Sequence, residues 1–560
     1  MRVPPNTIDG QIDRMLIRPI RRSYGKVARH PLFSFLIPFL MVLIGRAVLL
    51  SEVPPPEPLI QDEFSYLLAG QTYASFRLTN PPHPLWQHFE TIHELMQPTY
   101  MSKYPPMQGL ILAFGQLVFG MPWMGVLLSM GLFCGLLSWG LRAWIPPGWA
   151  FLGALLATYR IGILSYWTDS FWGGAAAAIG GVLVLGSIKR LVNTPASGMT
   201  FVFVLGAGIL ANSRPFEGFV FVLIFGGYLF WKWFCEGRWR ENGPVIYRRV
   251  VPVACLAALP ILLIMGYNNY RVTGKVVELP YQTYERQYSI WTPFIWQQKS
   301  SLTPTYRHEF IQRAWVEWDG IHKAYERRHL LLVHWHNFLM NIGFYFGPVF
   351  FQGGFLLVLA LFRSAKNRTI LGLLIVYYAC TRVMSDIIPH YTAPAAALIY
   401  LATTMALRTT WYFSIGRFSS GKWIVCTLII AFLISTSLTR VTPENRFLFL
   451  KPFWMEKRHQ VLSFFKQQPG FQLVFVHHGV LHNPNDIWTY NEPDIDASRI
   501  VWVDSMSPEE NQAVLDYYGG KRTAWILDDD AELTLRPYGD SQAKPVIEIK
   551  NPPLEPLLVP

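Results

Sequence analysis

Residues 33–66 read FSFLIPFLMVLIGRAVLL-SEVPPPEPLI-QDEFSY, and this stretch decides the fold class. Eighteen residues with one arginine are followed by a proline-rich connector and then two adjacent carboxylates, Asp62 and Glu63. An apolar run of this length matches the ~17–25 residues needed to cross a ~30 Å hydrocarbon core. Similar runs recur at Phe171–Ile188 and Trp423–Leu438. Only 15% of the 560 residues are charged, well below the roughly one quarter of soluble domains, so the chain is built for an apolar solvent.

The net charge of +12 is divided: residues 441–560 carry −6 and the remainder +18. In a polytopic protein such a basic excess marks cytoplasmic loops rather than nucleic-acid binding. Basic clusters stand at Arg14–Arg29, Arg142, Lys189–Arg190, Lys232–Arg249, Arg363–Arg368 and Arg408–Lys422. If each marks a cytoplasmic turn, about eleven spans follow, near 33–50, 123–142, 148–166, 170–188, 199–212, 215–233, 250–267, 338–362, 369–386, 390–407 and 423–439. The N-terminus then lies in the cytoplasm and the C-terminus outside the inner membrane. The first apolar run is too long for a cleavable signal. Met107–Gly120 spans only about 21 Å as a helix and is predicted to lie at, or dip into, the outer interface.

The predicted architecture is therefore an α-helical polytopic membrane protein with a small C-terminal α/β domain. A basic cytoplasmic segment covers 1–32, a transmembrane domain 33–440 with outer loops 51–122 and 268–337, and an extracytoplasmic domain 441–560. In the tail, Phe471–Val476, Ile500–Val503 and Thr523–Leu527 read as short strands, and Ser507-Pro508-Glu509-Glu510 as a helix start. The five cysteines fall in or beside apolar segments and offer no disulfide framework or CxxC pair. His477 and His478 are adjacent on a predicted strand, point to opposite faces and cannot share a metal.

The polar residues with chemical potential gather on the predicted outer side. Asp62 and Glu63 suit a helix N-terminus, where the dipole favours acids, and equally a general base or metal ligand beside the bilayer. Lys103-Tyr104-Pro105-Pro106 aims a lysine and a tyrosine at the interface, for snorkelling or for a lipid-linked phosphate. Asp169 lies in an outer turn, which needs no special role, yet it falls on the same side as Asp62. Arg214 in Ser213-Arg214-Pro215-Phe216-Glu217 pairs locally with Glu217 or binds a phosphate. Arg382, His390 and Tyr391 form a second outer cationic turn.

Together these motifs, with Tyr267-Asn268, Thr273-Gly274 and Pro280-Tyr281, resemble the GT-C superfamily of integral-membrane glycosyltransferases over roughly residues 30–400. The similarity is to the branch holding protein O-mannosyltransferases and lipid A aminoarabinose transferases. It implies transfer of a sugar from a polyprenyl-phosphate donor to a lipid, polysaccharide or protein acceptor on the periplasmic face. By the resemblance Asp62 is the base, with Glu63 beside it and Asp169 as second acid; Lys103, Tyr104, Arg214, Arg382, His390 and Tyr391 face the donor phosphate. The family often has Lys or His directly before the proline pair, whereas here Tyr104 holds that place and Lys103 precedes it. Some relatives use a divalent metal and others none, which leaves Mg or Mn open as a cofactor. A transporter and a non-catalytic envelope scaffold are the rival classes, but no internal repeat of the transporter kind is visible.

Overall fold

The computed structural model describes residues 18–172, 174–290, 294, 304–327, 330–384, 388–414, 416, 419–438, 453–540 and 542–550, with side chains omitted at 321–331 and 348–357. Each expected span coincides with a helix. The helices are Pro31–Leu49, Pro122–Leu141, Pro147–Ala157, Gly174–Asn193, Ser197–Ala211, Pro215–Phe230, Val251–Thr273, Leu330–Leu361, Ala365–Thr381, Ala396–Trp411 and Ser420–Leu438. Prolines at the first helical position, as at Pro31, Pro122 and Pro215, start helices where the missing N–H costs nothing. Six helical segments among the described residues are by themselves long and apolar enough to cross a bilayer. Leu330–Leu361 is broken at Gly347, whose φ of 68° and ψ of 178° lie outside helical geometry.

Burial shows what solvent the bundle expects. Pro122–Leu141 and Gly174–Asn193 are enclosed on nearly all sides. Val251–Thr273 presents Leu256, Leu262, Leu263 and Ile264 outward, each more than half exposed. A continuous row of this kind would aggregate in water and is at home in lipid. The chain is an integral membrane protein.

The helix expected at Met107–Gly120 is Pro106–Phe119. It folds back on Pro122–Leu141 as a hairpin so close that a Cβ at Gly125 would stand 1.9 Å from the Ile111 carbonyl oxygen. Glycine is therefore required there. On its other side this helix packs against Gln61–Ala74, where Gly70 faces Leu112 and Gly109 faces Ala69.

Gln61–Ala74 belongs to a layer of loops and short helices covering one end of the bundle, here called the crown. The crown also contains the 3₁₀ turn Trp86–Phe89, the two-stranded pair Glu94–Leu95 and Met101–Ser102, and the helices Pro280–Tyr288 and Glu309–Arg327. The C-terminal unit sits on it. Its helix Phe453–Gln467 is followed by a five-stranded sheet in the order Ile500–Asp504, Phe471–His478, Arg522–Asp529, Glu532–Pro537, Ile547–Lys550. The first three strands are parallel and the last two antiparallel. Ser507 and Glu510 form the expected reciprocal cap on helix Pro508–Tyr518. Two strands beyond the three anticipated complete the sheet. His477 reaches Asp528 on the exposed side and His478 reaches Asp504 on the buried side, each at 3.0 Å, in keeping with opposite faces.

Crown and C-terminal unit share one apolar core. Phe64, Leu68, Tyr73 and Phe89 of the first loop meet Tyr284 and Trp315 of the second and Trp454, Tyr490 and Val503 of the tail. Polar ties reinforce the seam: Gln61 to Asn485 at 3.0 Å, Tyr100 to the Asn491 carbonyl at 2.7 Å, and Arg313 to the Gly479 carbonyl at 2.7 Å.

Candidate functional site

Asp62 and Glu63 occupy the first turn of Gln61–Ala74, where exposed N–H groups favour acids. Successive helical residues point about 100° apart, so the two carboxylates face different surroundings. Glu63 turns inward and accepts the N–H of Leu59 at 2.8 Å and of Phe171 at 2.7 Å. Burial pushes its carboxyl up to about 7, against the pull of those N–H donors. It fastens the crown helix to the turn before Gly174–Asn193.

Asp62 keeps its side chain 27% exposed. Its Oδ1 accepts a hydrogen bond from the Tyr104 hydroxyl and lies 3.7 Å from Nε2 of His93. Among the described residues Oδ2 makes no hydrogen bond. Tyr104 in turn stacks on Tyr66, with ring centroids 4.4 Å apart. The prolines that open Pro106–Phe119 place this tyrosine, as expected.

Asp169 stands at the same end of the bundle, two residues before the Phe171 N–H that Glu63 holds. Its carboxylate is already committed, in a 2.5 Å ion pair with Arg46 from the first span. Burial raises the Asp169 carboxyl to about 6 and the guanidinium opposes the shift. Trp123 Nε1 and Gln108 Nε2 clamp the same turn through the carbonyls of Thr168 (2.7 Å) and Phe171 (2.9 Å).

Lys103 is buried in a cage of three tyrosine rings: Tyr284 at 4.6 Å, Tyr281 at 4.9 Å and Tyr104 at 5.3 Å. Its ammonium lies 3.7 Å from Glu285. Burial lowers its proton affinity, and Glu285 and Asp62 oppose that. The lysine is thus a fixed positive charge behind Asp62 rather than a mobile surface arm.

Arg214 caps Pro215–Phe230 and lies 4.5 Å over the Tyr391 ring. His390 receives the Tyr166 hydroxyl at 3.0 Å and meets Trp172 edge-on. Arg382 is the outlier. Its guanidinium lies 3.9 Å over the Tyr378 ring.

Comparison with protein-family models and with curated sequences yields no match. Solved structures do match. An oligosaccharyltransferase from Archaeoglobus fulgidus, in complex with zinc and sulfate, superposes with a TM-score of 0.50 at 11% identity, over 89% of this chain and 68% of that one. The chain has the GT-C fold. A further match is ArnT from Cupriavidus metallidurans bound to undecaprenyl phosphate (TM-score 0.49, 11% identity, 88% of this chain and 92% of that one). A third is archaeal AglB from Archaeoglobus fulgidus in complex with an inhibitory peptide and a dolichol-phosphate (0.48, 12%, 89% and 69%).

The residues described at this end of the bundle fall short of a divalent-metal site. Among the described residues no group of three or more His, Cys, Asp or Glu is placed to hold one. Asp169 is paired with Arg46, Glu63 with two backbone donors, and the Asp62–His93 pair offers two ligands beside the Lys103 ammonium. Catalytic zinc sites usually supply three protein ligands.

Several members of the site were not singled out in the sequence: His93, Tyr66, Tyr284, Glu285 and Arg46. For three of them a signal existed. Tyr281, Tyr284 and Glu285 lie at helical spacing on one face of Pro280–Tyr288. Arg46 sits inside an apolar span, and a charge there calls for a partner. His93 follows no pattern.

Proposed function

We propose that this protein is a membrane glycosyltransferase that moves a sugar from a polyprenyl-phosphate donor to an acceptor hydroxyl on the outer face of the inner membrane, with Asp62 as base. One observation carries the reading. Of Asp62, Glu63 and Asp169, it is Asp62 whose side chain stays partly open, 27% exposed against 6% for Asp169 and a buried Glu63, and it accepts the Tyr104 hydroxyl beside Tyr66 and Lys103.

The chemistry follows from these residues. The acceptor hydroxyl gives its proton to Oδ2 of Asp62 as its oxygen bonds to the anomeric carbon. The bond from that carbon to the phosphate oxygen breaks, and the polyprenyl phosphate leaves with the electron pair. Attack opposite the leaving group inverts the anomeric centre. Charge gathers on the phosphate in the transition state, and a preoriented cation stabilises it most. Arg214, its guanidinium 4.5 Å over the Tyr391 ring, serves as that cation, and Lys103 contributes its field from within the cage. Asp169, with Arg46, holds the floor of the site. The outer location rests on the basic clusters, which mark the opposite face as cytoplasmic.

The test uses purified protein in lipid nanodiscs with a panel of undecaprenyl-phosphate-linked hexoses and pentoses, following release of undecaprenyl phosphate. Asp62→Asn is expected to lose activity by at least about 100-fold, the scale of a general base, with unchanged thermal unfolding. An Asp62→Asn variant that turns over like the unaltered protein refutes the assignment.

A further inference from the structure

His93 is held at a backbone conformation that its residue type seldom adopts. Its φ is 69°, in the left-handed region, where a side chain crowds the following carbonyl. Such strain persists only when the surroundings over-determine it, and it gathers at functional sites. Here three bonds from three directions fix the main chain. The His93 N–H donates to the Tyr284 hydroxyl at 2.8 Å, and its carbonyl accepts the Ser65 hydroxyl at 2.7 Å and the Lys103 N–H at 3.3 Å.

The ring is fixed as well. It lies flat against Trp318, with centroids 5.7 Å apart, and meets Tyr104 and Tyr284 edge-on. Nδ1 is buried with no hydrogen-bond partner, while Nε2 faces Oδ1 of Asp62. Burial, helped by the Lys103 charge, pushes the imidazole's proton affinity well below its usual value, so the ring is neutral and carries one N–H. With that hydrogen on Nε2 it points at the nearest acceptor, the same Oδ1 that the Tyr104 hydroxyl already engages. The Tyr104 hydroxyl donates to Oδ1 and Nε2 stands 3.7 Å from the same oxygen, a gap that closing around the acceptor shortens to a hydrogen bond, while Oδ2 has no hydrogen bond to a described residue.

We infer that His93 is a positioning residue, which together with Tyr104 clamps Oδ1 of Asp62 so that Oδ2 meets the acceptor hydroxyl. This rests on the proposed reaction. The charged and titratable groups around the pair include Glu63 and Tyr66 from the helix of Asp62, Lys103 and Tyr104 from the segment before Pro106, and Tyr281, Tyr284 and Glu285 from Pro280–Tyr288. Removing the imidazole takes a donor from the carboxylate, which then holds a proton more readily. The acid limb of the pH–rate profile must move to higher pH, while donor binding is untouched.

The experiment uses the same nanodisc assay with His93→Ala, His93→Asn and His93→Gln. Asparagine tolerates the left-handed backbone but is too short to reach Asp62, so it separates lost contact from lost fold. Glutamine carries an amide N–H to about the place of Nε2. The expected result is a fall in kcat of about tenfold or more for Ala and Asn, the scale of one hydrogen bond to a charged group, with donor KM within about twofold. Their acid limb rises by about half a pH unit or more, and Gln recovers most of the rate. An unmoved acid limb, or Gln no better than Ala, overturns the inference while leaving the reaction intact. Absence of turnover in the unaltered protein across the panel overturns the reaction instead, and the inference with it.

Discussion

At the residue scale, two neighbouring carboxylates divide between holding and reacting. The sequence offers Asp62 and Glu63 side by side and cannot say which is which, because the answer depends on Phe171 and Tyr104 arriving from other parts of the chain. Glu63 makes a prediction of its own. Its folded-state carboxyl sits at about 7 against 4.5 in a free chain, so the folded protein binds its proton more tightly than the unfolded one. The contribution to stability is fully present below about pH 4.5 and is lost as pH rises through about 7, on the order of 3 kcal/mol in all. Glu63→Gln removes the titration. Thermal unfolding in detergent should show the unaltered protein losing ground against Glu63→Gln between pH 5 and 7.5; parallel curves would show that Glu63 does not titrate there. Asp169 was legible as an acid on the same side as Asp62, but its pairing with Arg46, 123 residues away, was not.

At the scale of elements, helices were far easier to read than their partners. Long apolar runs announce themselves by length, and the capping box at Ser507–Glu510 marks its helix by chemistry alone. The strands Glu532–Pro537 and Ile547–Lys550 were missed because each is short and half exposed, without the run of five buried residues in Phe471–His478. The docking of the tail was equally silent, since an apolar residue such as Trp454 looks the same whether it faces its own sheet or another domain. The structure gives Trp454 to the seam, 6.2 Å from the ring of Phe64 and 6.5 Å from that of Trp488. Trp454→Ala should therefore weaken the seam by about 3–5 kcal/mol. Limited proteolysis should then release the C-terminal unit early, while the bundle stays resistant; equal resistance in both proteins would place the seam's strength elsewhere.

At the scale of the whole molecule, the basic clusters set the expected orientation, and that orientation is open to direct measurement. The crown and C-terminal unit form one face, on which Phe76 is 88% exposed and Lys521 is exposed, whereas Lys422 is exposed in the first turn of the last helix, Ser420–Leu438. In a background without the five natural cysteines, Phe76→Cys and Lys521→Cys should react with an impermeant maleimide on intact cells. Lys422→Cys should react only after permeabilisation. The reverse pattern would turn the protein over and remove the outer-face reaction. The long apolar helices were legible because hydrocarbon thickness imposes a length, which six described segments meet by themselves, whereas the crown obeys no such ruler: its shape comes from contacts between segments hundreds of residues apart.

The apolar core shared by Phe64, Tyr284 and Trp454 also fixes an order of events during biosynthesis. Asp62 is synthesised early, yet Trp454 and Tyr490, which wall its helix, are made about four hundred residues later. The nascent protein therefore has its bundle to hand first and completes its crown last.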